Sequence, residues 1–216
     1  MRINRTFLIA AGAVFGLATG AFAQTSGTIT VTGTNPEAFS LTNVSEGALS
    51  STIALGTLTP AAGGTLNTNT ATIRLRSNKA YKVTAQAGTL SVTGAGSADG
   101  GSSIALSDIG FGITATSLTG ANVANTGTRT DAIAAGFDVS GGWPAATNGL
   151  TPAFTKTLSN ISSATQVLSG TRISSKGNLT TDNNFITATF GASTLPQFFT
   201  PNSGFSSVIT LTVASQ

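Results

Sequence analysis

The chain carries seven carboxylates, Glu37, Glu46, Asp99, Asp108, Asp131, Asp138 and Asp182, and neither histidine nor cysteine. That inventory excludes Ser–His–Asp and Cys–His nucleophilic catalysis, and with it the ordinary zinc and copper sites. Glycoside hydrolysis needs only two carboxylates, whose separation of roughly 5 to 10 Å sets the mechanism. Asp131 and Asp138 are the nearest pair in sequence, yet nothing in their spacing turns both toward one cleft, and solvated strand-end acids explain them more simply. Calcium would use oxygen ligands, and "SADGGSS" around Asp99 supplies several, but without the dense acidic spacing of a calcium loop. That stretch reads as a tight turn. The chain is therefore expected to be non-enzymatic, with no cofactor and no metal.

Two other groups of residues could recognise a partner. "IRLRSNKAYKVTA", residues 73–85, gathers Arg74, Arg76, Lys79 and Lys82 in a chain of which only 8% is charged. Such a cluster suits an anionic contact, for example cell-wall polymer, surface polysaccharide or an acidic partner. Its bland counterpart is that exposed strands carry Lys and Arg to block edge-to-edge aggregation, and this is the favoured reading. Trp143 in "GGWPAA" and the pair Phe198-Phe199 could stack on sugar faces, or plug the ends of a fold, since large aromatics bury much area. The plug is the favoured reading. The candidate surface-contact residues are Arg74, Arg76, Lys79, Lys82 and Trp143.

The elements that must position these residues are strands. "SGTITVTGTN", residues 26–35, alternates Ile29 and Val31 with Thr28, Thr30 and Thr32, the period of a half-buried strand. Residues 70–77 and 80–87 read as two strands joined in a hairpin at "SNKA". Ile73, Leu75, Tyr81 and Val83 would face inward, and Arg74, Arg76, Lys82 and Thr84 outward. Further strands are expected at 89–93, 103–106, 111–116, 135–139, 153–158, 166–168 and 185–190, and in the closing "SSVITLTVASQ". Asn148-Gly149 suits a type I′ turn. Only "RTDAIAAGF", residues 129–137, suggests a helical turn. Ten or so short strands with Gly/Ser/Thr-rich loops predict an all-β fold, an antiparallel sandwich of Ig-like or jelly-roll type. Residues 24–216 would form one domain, with 94–130 as a loop-rich insertion.

The first 23 residues combine a basic start at Arg2 and Arg5, an apolar run from Phe7, and Ala21-Phe22-Ala23, the three parts of a signal peptide. The apolar run is shorter than the roughly 20 residues of a spanning helix, and no later stretch is long and apolar enough to cross a membrane. The expected location is therefore secreted or cell-surface, meaning periplasm or outer surface in a Gram-negative cell. Removing Arg2 and Arg5 leaves 8 cations against 7 acids, a net charge of +1, too little for a nucleic-acid partner. An exported chain without cysteine must be held by packing and strand hydrogen bonds alone.

The leader, "ITVTGTNPEAFSLTN", "ALGTLTP", "ATIRLRSNKAYKVTAQA" and the closing "SSVITLTVAS" together resemble bacterial exported β-sandwich surface proteins of the spore coat protein U, WxL-domain and pilus-subunit kind. The resemblance covers about half of the chain, at its two ends. The paired cysteines of coat U and pilus subunits are absent, as is a WxL tripeptide. The resemblance implies a structural or adhesive role at the cell surface or in an appendage. The partners expected are copies of itself, other surface proteins or surface polysaccharide. A carbohydrate-binding sandwich is the alternative.

Overall fold

The computed structural model describes residues 28–60, 65–94, 103–119, 131–147, 151–173 and 184–216. Residues Glu37–Gln216 form one compact unit and Met1–Pro36 another. The stretch read as a signal peptide, residues 1–23, and the residues around Asp99 and Asp182 lie outside the described residues.

The fold is all-β. Twelve strands are described: β1 (Phe39–Asn43), β2 (Asn67–Ser77), β3 (Tyr81–Ala87), β4 (Ser91–Thr93), β5 (Ile109–Thr119), β6 (Asp131–Ile133), β7 (Ala146–Thr147), β8 (Thr151–Pro152), β9 (Thr165–Gly170), β10 (Phe185–Thr194), β11 (Gly204–Ser206) and β12 (Ile209–Ser215). Among the described residues the only helical pieces are two short 3₁₀ turns, Leu106–Asp108 and Leu158–Ile161. Two four-stranded antiparallel sheets, in the orders β1-β2-β10-β5 and β12-β3-β9-β6, carry the architecture. Both sheets contribute to one core. Leu75, Ile113, Ile186 and Ala188 of the first sheet and Tyr81, Val83, Ala85 and Leu168 of the second are fully buried. The alternation of Thr or Arg with Ile, Leu and Val along β2 and β3 generates this arrangement, because a strand presents every second residue to one face.

The connection "SNKA" is not a hairpin. β2 pairs with β1 and β10, whereas β3 pairs with β12 and β9. Residues 77–80 therefore cross from one sheet to the other. Side chains hold the crossing. Asn78 Oδ1 accepts from Ala38 N at 2.8 Å, while Asn78 N donates to Ala38 O at 3.2 Å and Ser77 O accepts from Ile173 N at 2.9 Å. Ser77 Oγ accepts from Lys79 N at 3.1 Å and donates to the Lys79 carbonyl. A four-residue polar link between alternating strands fits a hairpin and such an arch equally well, and only the partners on either side decide between them.

Other expectations change as well. Residues 28–36 form no strand, and Ile29 and Val31 are 93% and 90% exposed. Asp131–Ile133, in the stretch read as a helical turn, is the edge strand β6. Residues 135–139 and 153–158 form no strand: single bridges join Asp138 to Ile113 and Thr157 to Gly110, and Leu158 opens the second 3₁₀ turn. They lie along β5 through Ile113 N to Phe137 O (2.7 Å) and Phe111 N to Lys156 O (3.1 Å), covering part of an edge that would otherwise be open. The 94–130 stretch contributes β5, which places Phe111 and Ile113 in the core. β7 pairs with β8 on either side of Asn148-Gly149, whose own turn lies outside the described residues.

Candidate functional site

The four clustered cations are split among the first sheet (Arg74, Arg76), the arch (Lys79) and the second sheet (Lys82). Arg74 and Arg76 stand on the outward face of β2, and a tight turn after β1 brings them a carboxylate. Asn43 Oδ1 accepts from Ser45 N at 2.9 Å and Gly47 N at 3.0 Å. That turn sets Glu46 at φ 67°, a left-handed conformation uncommon outside glycine. Glu46 Oε1 then accepts from both Arg74 Nη1 (3.0 Å) and Arg76 Nη2 (2.9 Å). Both guanidiniums lie over the Phe185 ring, at 4.3 and 5.4 Å from its centroid. The Arg76 side chain is only 6% exposed, and a charge so shielded from water requires a partner. The Arg76 hydrogen bond, followed by its charge and that of Arg74, holds the Glu46 carboxyl below the usual range.

Lys79, in the arch, pairs with Glu37, and its hydrogen bond lowers the pKa of that carboxyl. Lys82 lies in the second sheet, in register with Ala214 and Ser169, and among the described residues has no ion-pair partner. The structure thus brings Arg74 and Arg76 together, adds Glu46, and separates both from Lys82. The sequence reading missed Glu46, Glu37 and Phe185 as partners, because their pairing depends on the sheet order.

Trp143 lies half-buried against the first sheet. Its ring meets Phe154 edge-on at 5.9 Å. A Cβ at Gly191 would lie 3.0 Å from Trp143 Cζ2, and one at Gly110 would lie 2.6 Å from Phe154 Cδ1. The two glycines are therefore required by the rings stacked on them. Trp143 plugs the side of a sheet rather than the end of the sandwich. Phe198 is 91% exposed.

The remaining described carboxylates are each hydrogen-bonded within the fold. Asp131 accepts from the buried Tyr81 hydroxyl at 2.9 Å. Asp138 accepts from Ser140 Oγ at 2.6 Å and Ser140 N at 2.9 Å, bonds that lower its pKa. Asp108 accepts from Ala105 N at 2.8 Å. Among the described residues no group of three or more acids is placed to hold a metal ion.

Outside these clusters lies a largely apolar groove of about 1480 Å³. Ile73, Phe111 and Phe190 line it from the first sheet and Leu211 from β12, with Ile53 and Leu55 along one side. Its origin lies in the sheet orders. β1 covers β2 only from Ile73 to Ser77, although β2 begins at Asn67, and β12 is an edge strand. Beyond Asn43 no described strand ladders onto that side of β2; Ile73, Phe111 and Phe190 are buried there, while Ile53, Leu55 and Leu211 are only partly covered.

No protein-family model matches the chain, and no curated protein matches it. Among the described residues no helix is long and apolar enough to cross a membrane.

Proposed function

We propose that this is an exported, non-enzymatic structural subunit of the bacterial cell surface or an appendage, in which copies join by strand addition. The observation that carries this reading is the pairing of a deficit with a surplus. Among the described residues no strand ladders onto β2 beside the groove between Asn67 and Thr72 except β10 on its other edge, and Thr28–Thr34 is a strand-length segment whose Ile29 and Val31 are almost fully exposed. Added to an open sheet edge, such a segment gains main-chain hydrogen bonds, while its alternate side chains enter the apolar space. Ile29 and Val31 would face into the groove, and Thr28, Thr30 and Thr32 away from it.

Donor and groove are different surfaces of one chain, so the contact is head-to-tail and does not close by symmetry; repeated, it gives a filament. Removal of residues 1–23 as a signal peptide would deliver such a subunit to the surface. Size-exclusion chromatography with light scattering and negative-stain microscopy, on chain beginning at Gln24, test the reading. A ladder of oligomers or regular fibres is expected, and a monodisperse monomer at high concentration would contradict it.

A further inference from the structure

The groove is not empty along its whole length. After the turn at Glu46 the chain runs from Leu49 to Pro60 beside the part of β2 that β1 leaves uncovered. It has the side-chain pattern of a strand: Ile53 and Leu55 pack against the core, with Ala54 exposed between them, and Leu49 and Leu58 also pack inward. Yet it belongs to no sheet. What fixes it to β2 is a pair of side-chain amides. Asn67 Nδ2 donates to Leu55 O at 2.8 Å and Thr57 O at 3.1 Å, and Asn69 Nδ2 donates to Ala54 O at 2.8 Å. Asn69 is exposed and Asn67 only partly buried, so water can replace these bonds at little net cost. A ladder strand would exchange main-chain bonds along its whole length, and would not be released so easily.

We propose that residues 49–58 are a placeholder. In the separate subunit Ile53, Leu55 and Leu58 shield part of the apolar groove, and Asn67 and Asn69 act as the catch. When residues 28–34 of a second copy enter, the catch opens, the segment moves aside, and a laddered strand replaces one held by side chains. The device keeps a hydrophobic groove covered before assembly, when an exposed apolar patch would invite non-specific association. It rests on the strand-addition reading above.

The test compares assembly rates of three forms of the chain beginning at Gln24, followed by light scattering. Asn67→Ala with Asn69→Ala removes the catch and should assemble faster than the unaltered chain, by at least about tenfold for the loss of three neutral hydrogen bonds. Ala54→Cys with Asn69→Cys supplies a lock, in a protein that has no other cysteine. Its oxidised form, with the bridge verified by mass spectrometry, should remain monomeric, and reduction should restore assembly. If the catch variant assembles no faster, or slower, and the oxidised lock assembles as fast as its reduced form, the segment is a fixed wall and the placeholder is wrong, while strand addition stands. If the unaltered chain does not assemble at all, both proposals fall.

Discussion

Replacing Ile29 and Val31 together with serine removes the apolar side chains of the proposed donor segment without touching the core. Their exposures of 93% and 90% mean that almost the whole of each side chain is available for burial on assembly. Burying a valine or isoleucine is worth about 1.5–3 kcal/mol, so the pair supplies about 3–6 kcal/mol. Association itself costs about 4–15 kcal/mol in lost freedom. The two side chains alone therefore cannot join the subunits, and the strand ladder must supply the rest. Against so narrow a surplus the loss of both is decisive. At about 1.4 kcal/mol per factor of ten, the dissociation constant for subunit joining should rise by about two to four orders of magnitude. The assay is light scattering across a concentration series, paired with thermal unfolding of the monomer. The monomer should unfold within about 0.5 kcal/mol of the unaltered chain, as expected for exposed positions. Assembly at unaltered concentration would refute the reasoning, and so would a large loss of monomer stability, since Ile29 and Val31 would then be packed within their own subunit.

Three further predictions test the local chemistry. Because Arg76 and Arg74 hold the Glu46 carboxyl below its ordinary value, the ionised form is the one that folding favours. Its contribution is present above about pH 4.5 and is lost as pH falls through the folded value. Glu46→Gln should therefore destabilise at pH 7 and flatten the fall in denaturation midpoint below pH 4.5, whereas a parallel pH curve would show the ion pairs to be idle. Gly191→Val places a Cβ 2.8 Å from Thr114 Cγ2 and 3.0 Å from Trp143 Cζ2. It should cost about 1–3 kcal/mol by overpacking and shift tryptophan fluorescence toward an exposed ring, an effect absent if Trp143 sits elsewhere. Tyr81→Phe removes the hydroxyl donor to Asp131 from a fully buried side chain and should lower stability by about 1.5–3 kcal/mol in denaturant titration; no change would mean that the bond is not made.

Most of the sandwich was legible because alternation is a local signal. β2, β3 and β12 carry it plainly, and the inward sets Ile73/Leu75 and Tyr81/Val83 fall where period two puts them. What alternation does not encode is the identity of the neighbouring strand. It therefore left the SNKA link ambiguous between hairpin and arch, and with it the surface formed by Arg74, Arg76, Lys79 and Lys82. The same ambiguity explains residues 26–35, whose pattern is that of a strand although the described part, 28–35, is assigned to no strand. Short elements escaped for another reason. β1, β6 and β11 have three to five residues, too few for a period to stand out, and their pairing comes from β2, β9 and β4 beside them. Residues 49–58 were passed over because strand-like side chains there are held by Asn67 and Asn69 instead of by a ladder, an arrangement visible only once β2 is in place.

Strand addition is tested most directly by asking where residue 31 goes. Copies carrying Val31→Cys, beginning at Gln24, would be mixed with copies carrying a single cysteine at Val208 or Leu211 around the groove and then oxidised mildly. Because the chain has no native cysteine, every bridge is assignable by mass spectrometry. The account predicts mixed dimers between Val31→Cys and at least one groove position, suppressed when Ile29 is also changed to serine. Bridges only between like copies, or none to any groove position in samples that still form fibres, would contradict it.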